Sequence, residues 1–92
     1  MKKVHDIKCG AEYIRDIQKG KKTFEVRIDD RKYGVGDYLH LYEDKPSIKQ
    51  IEGYPNATIS NQIDCMCRVT YILKGGQFGI DKDYIVMSIE VL

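Results

Sequence analysis

The feature that most constrains this chain of 92 residues is a helix pattern that ends at Gly20 and passes directly into an alternating strand. Residues 11–19 carry one apolar stripe at helical spacing, formed by Tyr13, Ile14 and Ile17. Glycine accepts the left-handed backbone of a helix C-terminus without a Cβ penalty. The strand predicted over 22–28 then places alternate side chains on opposite faces, with Phe24, Val26 and Ile28 on one and Thr23, Glu25 and Arg27 on the other.

Alternation of apolar and polar residues predicts the rest of a mainly β domain. The further strands are 4–9, 38–42, 63–73 and 84–92. The longest predicted strand, 63–73, carries on one face Ile63, Cys65, Cys67, Val69, Tyr71 and Leu73. The last predicted strand, 84–92, carries on its inward face Ile85, Met87, Ile89 and Val91. Four or five strands and one early helix indicate a mixed α/β, mainly β fold, closed as a small barrel. Residues 43–62 show no clear period, so the pattern leaves open a mobile loop or a short hidden element.

Length and composition predict a single domain over residues 1–92. No apolar run approaches the roughly 20 residues of a membrane helix, and the N-terminus lacks the apolar core of a signal peptide. We therefore expect a cytoplasmic protein without a membrane partner. Residues 1–32 hold ten Lys/Arg against six Asp/Glu, which predicts a local basic patch on a protein of net charge +1.

One short motif joins the helix end to the strand: Gly20-x-Lys22-x-x-Glu25-x-Arg27. It resembles G-x-K-x-x-E-x-R, the signature of the ASCH domain superfamily, at all four positions. The segments 4–8, 33–37 and 73–79 also resemble small bacterial and phage members of that group. The resemblance implies a PUA-like β-barrel whose motif residues line a cleft for RNA or a nucleotide-like ligand. In that comparison His5 becomes a candidate residue at the rim of the site.

The residue types of the motif suit such a ligand, because lysine and arginine hold phosphate and a carboxylate accepts from a base or activates water. Glu25 and Arg27 lie two positions apart on one strand face and can form a charge-assisted pair. The plainer alternative is a surface salt bridge of about 0–1 kcal/mol with no function.

A glycine-rich loop over residues 74–79 adds Gln77 and Phe78 as candidate ligand contacts, with Phe78 as a base-stacking aromatic. Tyr33 and Tyr54 are weaker candidates of the same kind. Neither this loop nor Gly34-Val35-Gly36 has the strand–loop–helix setting of a phosphate loop, and tight turns are the simpler interpretation. We expect no cofactor.

Three cysteines, Cys9, Cys65 and Cys67, are an odd number in a chain without an export signal, which argues against a disulfide framework. Their spacing is not that of a zinc site, and reduced cysteine on an apolar face packs as a small hydrophobe. We expect no metal.

Three functions stay open at this point. The first is binding of RNA or a nucleotide through Lys22, Glu25 and Arg27. The second is a small hydrolase on the same scaffold, either a ribonuclease with Lys22 and Glu25 as acid and base or an amidohydrolase of acylated nucleosides. The resembling amidohydrolases carry threonine where this chain has Glu25, which argues against that chemistry. The third is a protein-interaction domain that uses residues 43–62. The sequence does not indicate an oligomeric state.

Overall fold

The computed structural model describes residues 2–45 and 47–92. Along the chain the elements are β1 (Val4–Lys8), α1 (Ala11–Gln18), β2 (Phe24–Ile28), β3 (Tyr38–Tyr42), β4 (Ser47–Ile51), β5 (Tyr54–Asn61), β6 (Asp64–Lys74) and β7 (Tyr84–Val91). The predicted mainly β fold with one early helix is confirmed. No helix in the described ranges has the length and apolarity needed to cross a bilayer.

Five strands form one curled sheet in the order β1-β3-β6-β7-β2, which gives half of a barrel. β1 runs parallel to β3, and every other neighbouring pair in this sheet is antiparallel. The two edge strands are therefore β1 and β2. This order matters for function, because the motif lies on one of the two edges.

The core lies between the inner face of this sheet and α1. Ile14 and Ile17 of the helix are buried, as are Leu39 and Leu41 of β3 and alternate residues of β6 and β7. This confirms the apolar stripe for the two isoleucines, whereas Tyr13 stays 53% exposed. Burial of each such aliphatic side chain contributes about 1.5–3 kcal/mol, so packing stabilises a helix of only eight residues.

Three of the predicted inward assignments on the strands are wrong: Tyr71, Leu73 and Val91. Val91 is 45% exposed at the end of β7. In β6 the pairing with β7 shifts register between Val69 and Tyr71, and a bulge reverses the alternation beyond it. Tyr71 is consequently exposed, and Ile72 packs against the core in its place.

Residues 47–61 contain the element that periodicity could not identify. β4 and β5 form a separate antiparallel hairpin, and Gly53 takes the left-handed conformation (φ 83°) at its turn. Ile48 and Ile59 are both at least half exposed, so neither face of the hairpin is buried as the alternation rule requires. Pro46 lies outside the described residues.

Candidate functional site

The end of α1 places the motif by backbone hydrogen bonds. Gly20 has φ 76°, and its N–H donates to the carbonyl of Ile17 at 3.0 Å. The N–H groups of Lys21 and Lys22 both donate to the carbonyl of Asp16, at 2.9 and 3.1 Å. This is a Schellman motif, which closes the helix and turns the chain into β2. A Cβ at Gly20 would meet nothing within 4 Å, so the residue is required for its backbone conformation and does not line the cleft.

Glu25 lies on the inner face of β2 and is buried, with 4% of its side chain exposed. Its Oε1 accepts from Nζ of Lys22, and its Oε2 accepts from Nε of Arg27 at 2.8 Å. The Lys22 and Arg27 side chains remain 19% and 26% exposed, at the mouth of the site. The carboxylate thus serves as a buried anchor that orients two partly exposed cations. A burial this deep excludes the surface salt bridge considered from the sequence.

The apolar side chains of β2 lie on its other face, although Phe24 and Val26 also border the cleft at this edge of the sheet. Phe24, Val26 and Ile28 alternate with Glu25 and Arg27 as predicted, and all three are 45–52% exposed. On this strand the charged face is therefore the inner one, which is the reverse of the usual half-buried strand. Two cations and the buried carboxylate together carry a net charge of +1.

The three charged residues line a cleft of about 510 Å³ between the edge strands. Lys8 and Cys9 border it on the β1 side, and Gly10 and Tyr13 on the side of α1. Nζ of Lys22 lies 5.5 Å from the ring centroid of Tyr13 and 5.1 Å from that of Phe24. The sequence did not predict these aromatic walls, because helical spacing assigned Tyr13 to the apolar stripe of the helix.

The cysteines lie near the buried carboxylate. Burial raises the pKa of the Cys9 thiol, and the charge of Glu25 raises it further. Burial also raises the pKa of Cys65, and it raises that of Cys67 to about 12. All three are free thiols, although the Sγ atoms of Cys65 and Cys67 are 3.8 Å apart. Among the residues that the structure describes, no three His, Cys, Asp or Glu side chains are grouped as metal ligands.

The other predicted contacts lie elsewhere. His5 is buried, and its Nε2 lies 2.9 Å from Oδ2 of Asp37. Its ring packs against the buried ring of Tyr33, with 4.7 Å between the two ring centroids. Neither His5 nor Tyr33 lines the cleft, so both have a packing role here. Tyr54 is exposed on the hairpin, again outside the cleft.

Gln77 and Phe78 belong to the loop between β6 and β7. This loop follows the end of β6 that pairs with the start of β7, whereas Glu25 pairs with Met87 further along β7. Neither residue lines the cleft. Phe78 is 82% exposed, and Gln77 donates to the carbonyl of Lys74 at 2.8 Å. A Cβ at Gly75 would lie 1.9 Å from the carbonyl oxygen of Asp81, so close approach of two backbone segments explains that glycine.

The chain is similar to one protein family and to a phage protein. A family model described as "Domain of unknown function (DUF3850)" matches residues 4–89, from β1 into β7. A protein of Escherichia phage P2, the "Uncharacterized 12.9 kDa protein in GpA 3'region", is 44% identical over 43 residues. That alignment covers 47% of this chain and 39% of the phage protein. Since the family model spans nearly the whole chain, this protein belongs to the DUF3850 family.

Proposed function

We propose that this domain binds RNA or a nucleotide-like ligand in the cleft between β1 and β2. The observation that carries the proposal is the buried Glu25 carboxylate, which holds Lys22 and Arg27 at the mouth of a cleft of about 510 Å³. Sites for small ligands have volumes of about 300–1,000 Å³ and combine apolar walls with a few fixed polar groups.

The two cations supply the donors that a phosphate needs. Lys22 gives one N–H to Glu25 and one to the carbonyl of Phe24 at 2.8 Å, and its third remains for a ligand. Arg27 gives Nε to Glu25, and within residues 2–45 and 47–92 its terminal NH₂ groups have no hydrogen-bonding partner. Arginine in this orientation offers a planar pair of donors to a phosphate oxygen.

The aromatic side chains favour a base next to that phosphate. Tyr13 and Phe24 are 53% and 45% exposed, and both border the cleft beside Lys22. Stacking of a base on an aromatic ring contributes about 1–3 kcal/mol and tolerates different bases. We therefore expect the cleft to discriminate weakly between bases.

The charge along the seam between the edge strands favours a short ligand. Next to the cleft, a cavity of about 310 Å³ contains Arg31 and Asp30 as well as Arg27. Beyond the end of β2, a cavity of about 430 Å³ is bordered by Lys82 and three aspartates, Asp29, Asp81 and Asp83. Because Asp29 is paired with Lys74, Asp81 and Asp83 leave one excess negative charge beside Lys82. A polyanion that extended along the seam would meet like charge there. A nucleotide, or the end of an RNA strand, avoids that repulsion.

The same geometry makes catalysis by Glu25 the weaker alternative. Each carboxylate oxygen already accepts a charge-assisted hydrogen bond from Lys22 or Arg27. A general base must come within hydrogen-bond reach of the proton that it takes from its substrate. With only 4% of its side chain exposed, Glu25 gives a substrate little access to its remaining lone pairs. The ribonuclease hypothesis therefore ranks below binding.

The resemblance to ASCH domains supports the same function, and we propose that the half barrel is a PUA-like variant of that fold. A cytoplasmic location is part of the proposal, because three free thiols suit a reducing compartment.

The experiment is a binding screen of short single-stranded RNAs and mononucleotides at low salt, repeated between about 50 and 200 mM salt. Two or three phosphate contacts predict a slope of log affinity against log salt of about −1.4 to −2.1. A slope near zero would show that the bound ligand makes no phosphate contact, which would contradict the role proposed for Lys22 and Arg27. Absence of binding to every member of the screen would contradict the proposal and favour an interaction domain.

A further inference from the structure

The outer face of the sheet, opposite α1, has an apolar half. The strand registers bring side chains of three neighbouring strands together there: Phe24 and Val26 lie beside Ser88 and Val86, Ile28 beside Tyr84, and Tyr71 and Leu73 complete the rows on β6. We call the seven apolar residues the apolar sheet face: Phe24, Val26, Ile28, Tyr71, Leu73, Tyr84 and Val86. Five of them are 38–62% exposed.

The β6 bulge creates part of this face. Before the bulge, Cys65, Cys67 and Val69 point into the core. After it, Tyr71 pairs with Ser88 and Leu73 with Val86, so both join the outer rows. Bulges re-aim side chains in this manner and are features of a fold rather than defects. An uninterrupted strand would have left Tyr71 on the inner face.

The face is large for a chain of 92 residues. Five of its seven side chains are 38–62% exposed and Leu73 and Val86 less, and together the seven amount to roughly 500–600 Å² of contiguous, mainly apolar surface. This is the upper end of what a monomeric protein shows, and such faces mark contact sites. The hairpin is different, because its exposed Ile48 and Ile59 lie on opposite faces.

The border of the face carries two ion pairs and, beside Ile28 and Tyr84, the side chains of Asp81, Lys82 and Asp83. Arg68 forms an ion pair with Glu90, and Nζ of Lys74 lies 3.0 Å from Oδ2 of Asp29. Neither pair leaves a net charge that would attract an anionic surface or specify a charged protein. An apolar face is complementary to a copy of itself, because a two-fold axis opposes apolar surface with apolar surface.

We propose that two copies of this chain associate through their apolar sheet faces in a two-fold, sheet-on-sheet dimer. Two such faces bury roughly 1,000–1,200 Å² in total, which is the lower limit for a specific interface. The dimer is therefore weak and depends on concentration. Phe24 and Val26 belong both to this face and to the cleft wall, so the partner copy lies beside the ligand site.

The test is sedimentation equilibrium of the full chain over a wide concentration range. The wild type should fit a monomer–dimer equilibrium that stops at two copies. Ile28→Thr and, separately, Tyr71→Ser should each weaken dimerisation at least tenfold, because each removes exposed apolar area from the face. Val4→Thr is the matched control: Val4 is 59% exposed on the opposite edge strand, and its substitution should leave the equilibrium unchanged.

Several results would overturn the proposal. They are a chain that stays monomeric at the highest concentration, association that grows beyond two copies, or an equal effect of Val4→Thr and Ile28→Thr. Loss of the dimer in Tyr54→Ser would overturn it too, because it would assign the contact to the hairpin. Circular dichroism establishes that each variant is folded, and agreement of Ile28→Thr with Tyr71→Ser excludes a local defect at one position.

Discussion

His5 and Asp37 form a buried pair in which Nε2 lies 2.9 Å from Oδ2. The same carboxylate accepts the backbone N–H of Lys3 at 3.1 Å and that of Gly34 at 2.9 Å. Burial raises the pKa of Asp37, but the hydrogen bonds from His5 and the two amides outweigh it and hold the pKa below its ordinary value. The pair fastens the loop before β3 to the edge strand β1.

Asp37→Ala should therefore lower the free energy of unfolding by about 2–4 kcal/mol, because three donors lose their acceptor in a buried place. Asp44→Ala is the control, since Asp44 is exposed and only 3.5 Å from Lys8 in an exposed ion pair. That substitution should change stability by less than about 1 kcal/mol. Urea unfolding measures both, and equal effects would contradict the anchoring role of Asp37.

Gly20→Ala separates backbone strain from side-chain contact. The left-handed conformation at φ 76° should make alanine unfavourable by about 1–2 kcal/mol, although its Cβ would have room. Because Gly20 sets the path into Lys22, ligand affinity should fall as well. Gly53→Ala introduces the same strain (φ 83°) at the hairpin turn and should leave affinity unchanged. Urea unfolding and ligand titration on both variants measure these effects. Unchanged affinity in Gly20→Ala would contradict the role of Gly20 in positioning Lys22.

The sequence predicts the parts of this fold in which a strand or helix buries one face and exposes the other. Leu39 and Leu41 alternate into the core of β3 as predicted, and Ile14 and Ile17 form the buried helical stripe. The motif also indicated that Lys22, Glu25 and Arg27 act together. Each of these inferences depends on neighbours close in sequence, where spacing fixes the geometry.

The remainder depends on pairing between distant segments. The hairpin shows no buried face, and the bulge after Val69 is set by the register with β7, so neither leaves a periodic signal. Lys8 and Cys9 reach the cleft because the curled sheet brings β1 opposite β2. That juxtaposition is a property of strand order, which local alternation does not encode.

His40 predicts a pH dependence of stability. Its ring lies between two carboxylates, 2.8 Å from Asp64 and 2.9 Å from Asp6, and these hydrogen bonds, the one to Asp64 foremost, raise the pKa of His40. A raised folded-state pKa contributes stability that is complete below the unfolded value and is lost as pH rises through the folded one. Unfolding free energy should thus decrease as pH rises above about 6.5, the ordinary pKa of histidine. His40→Gln should remove that slope, and an unchanged slope would contradict the assignment.

Glu25→Gln tests binding against catalysis. The amide keeps the shape of the side chain but loses its charge, so the hold on Lys22 and Arg27 weakens. In a binding site we expect affinity to fall about tenfold, because a hydrogen bond to a charged group contributes about 1.5–3 kcal/mol and part of it survives. In an enzyme that used Glu25 as acid or base, turnover would fall about 10²–10⁴-fold while binding stayed nearly normal. Calorimetric titration and a cleavage assay with the same short RNA distinguish the two.

Arg27→Lys belongs to the same series. Nε of Arg27 donates to Glu25 at 2.8 Å, and Arg27 also lines the cleft. Lysine keeps the charge but cannot make both contacts through one planar group, so affinity should fall more than in Glu25→Gln. Full affinity in Arg27→Lys, measured by the same titration, would show that only charge is required at this position.

The most direct test of the cleft compares two adjacent lysines. Lys22 borders the cleft and contacts Glu25, whereas Lys21 is exposed and does not line it. Calorimetric titration with short single-stranded RNAs and mononucleotides should show that Lys22→Ala weakens binding by about 10- to 100-fold, to a similar extent for each base. Lys21→Ala, which removes the same charge one residue away, should change affinity less than about threefold. Equal losses in the two variants, or none in Lys22→Ala, would contradict a ligand site built on Lys22, Glu25 and Arg27.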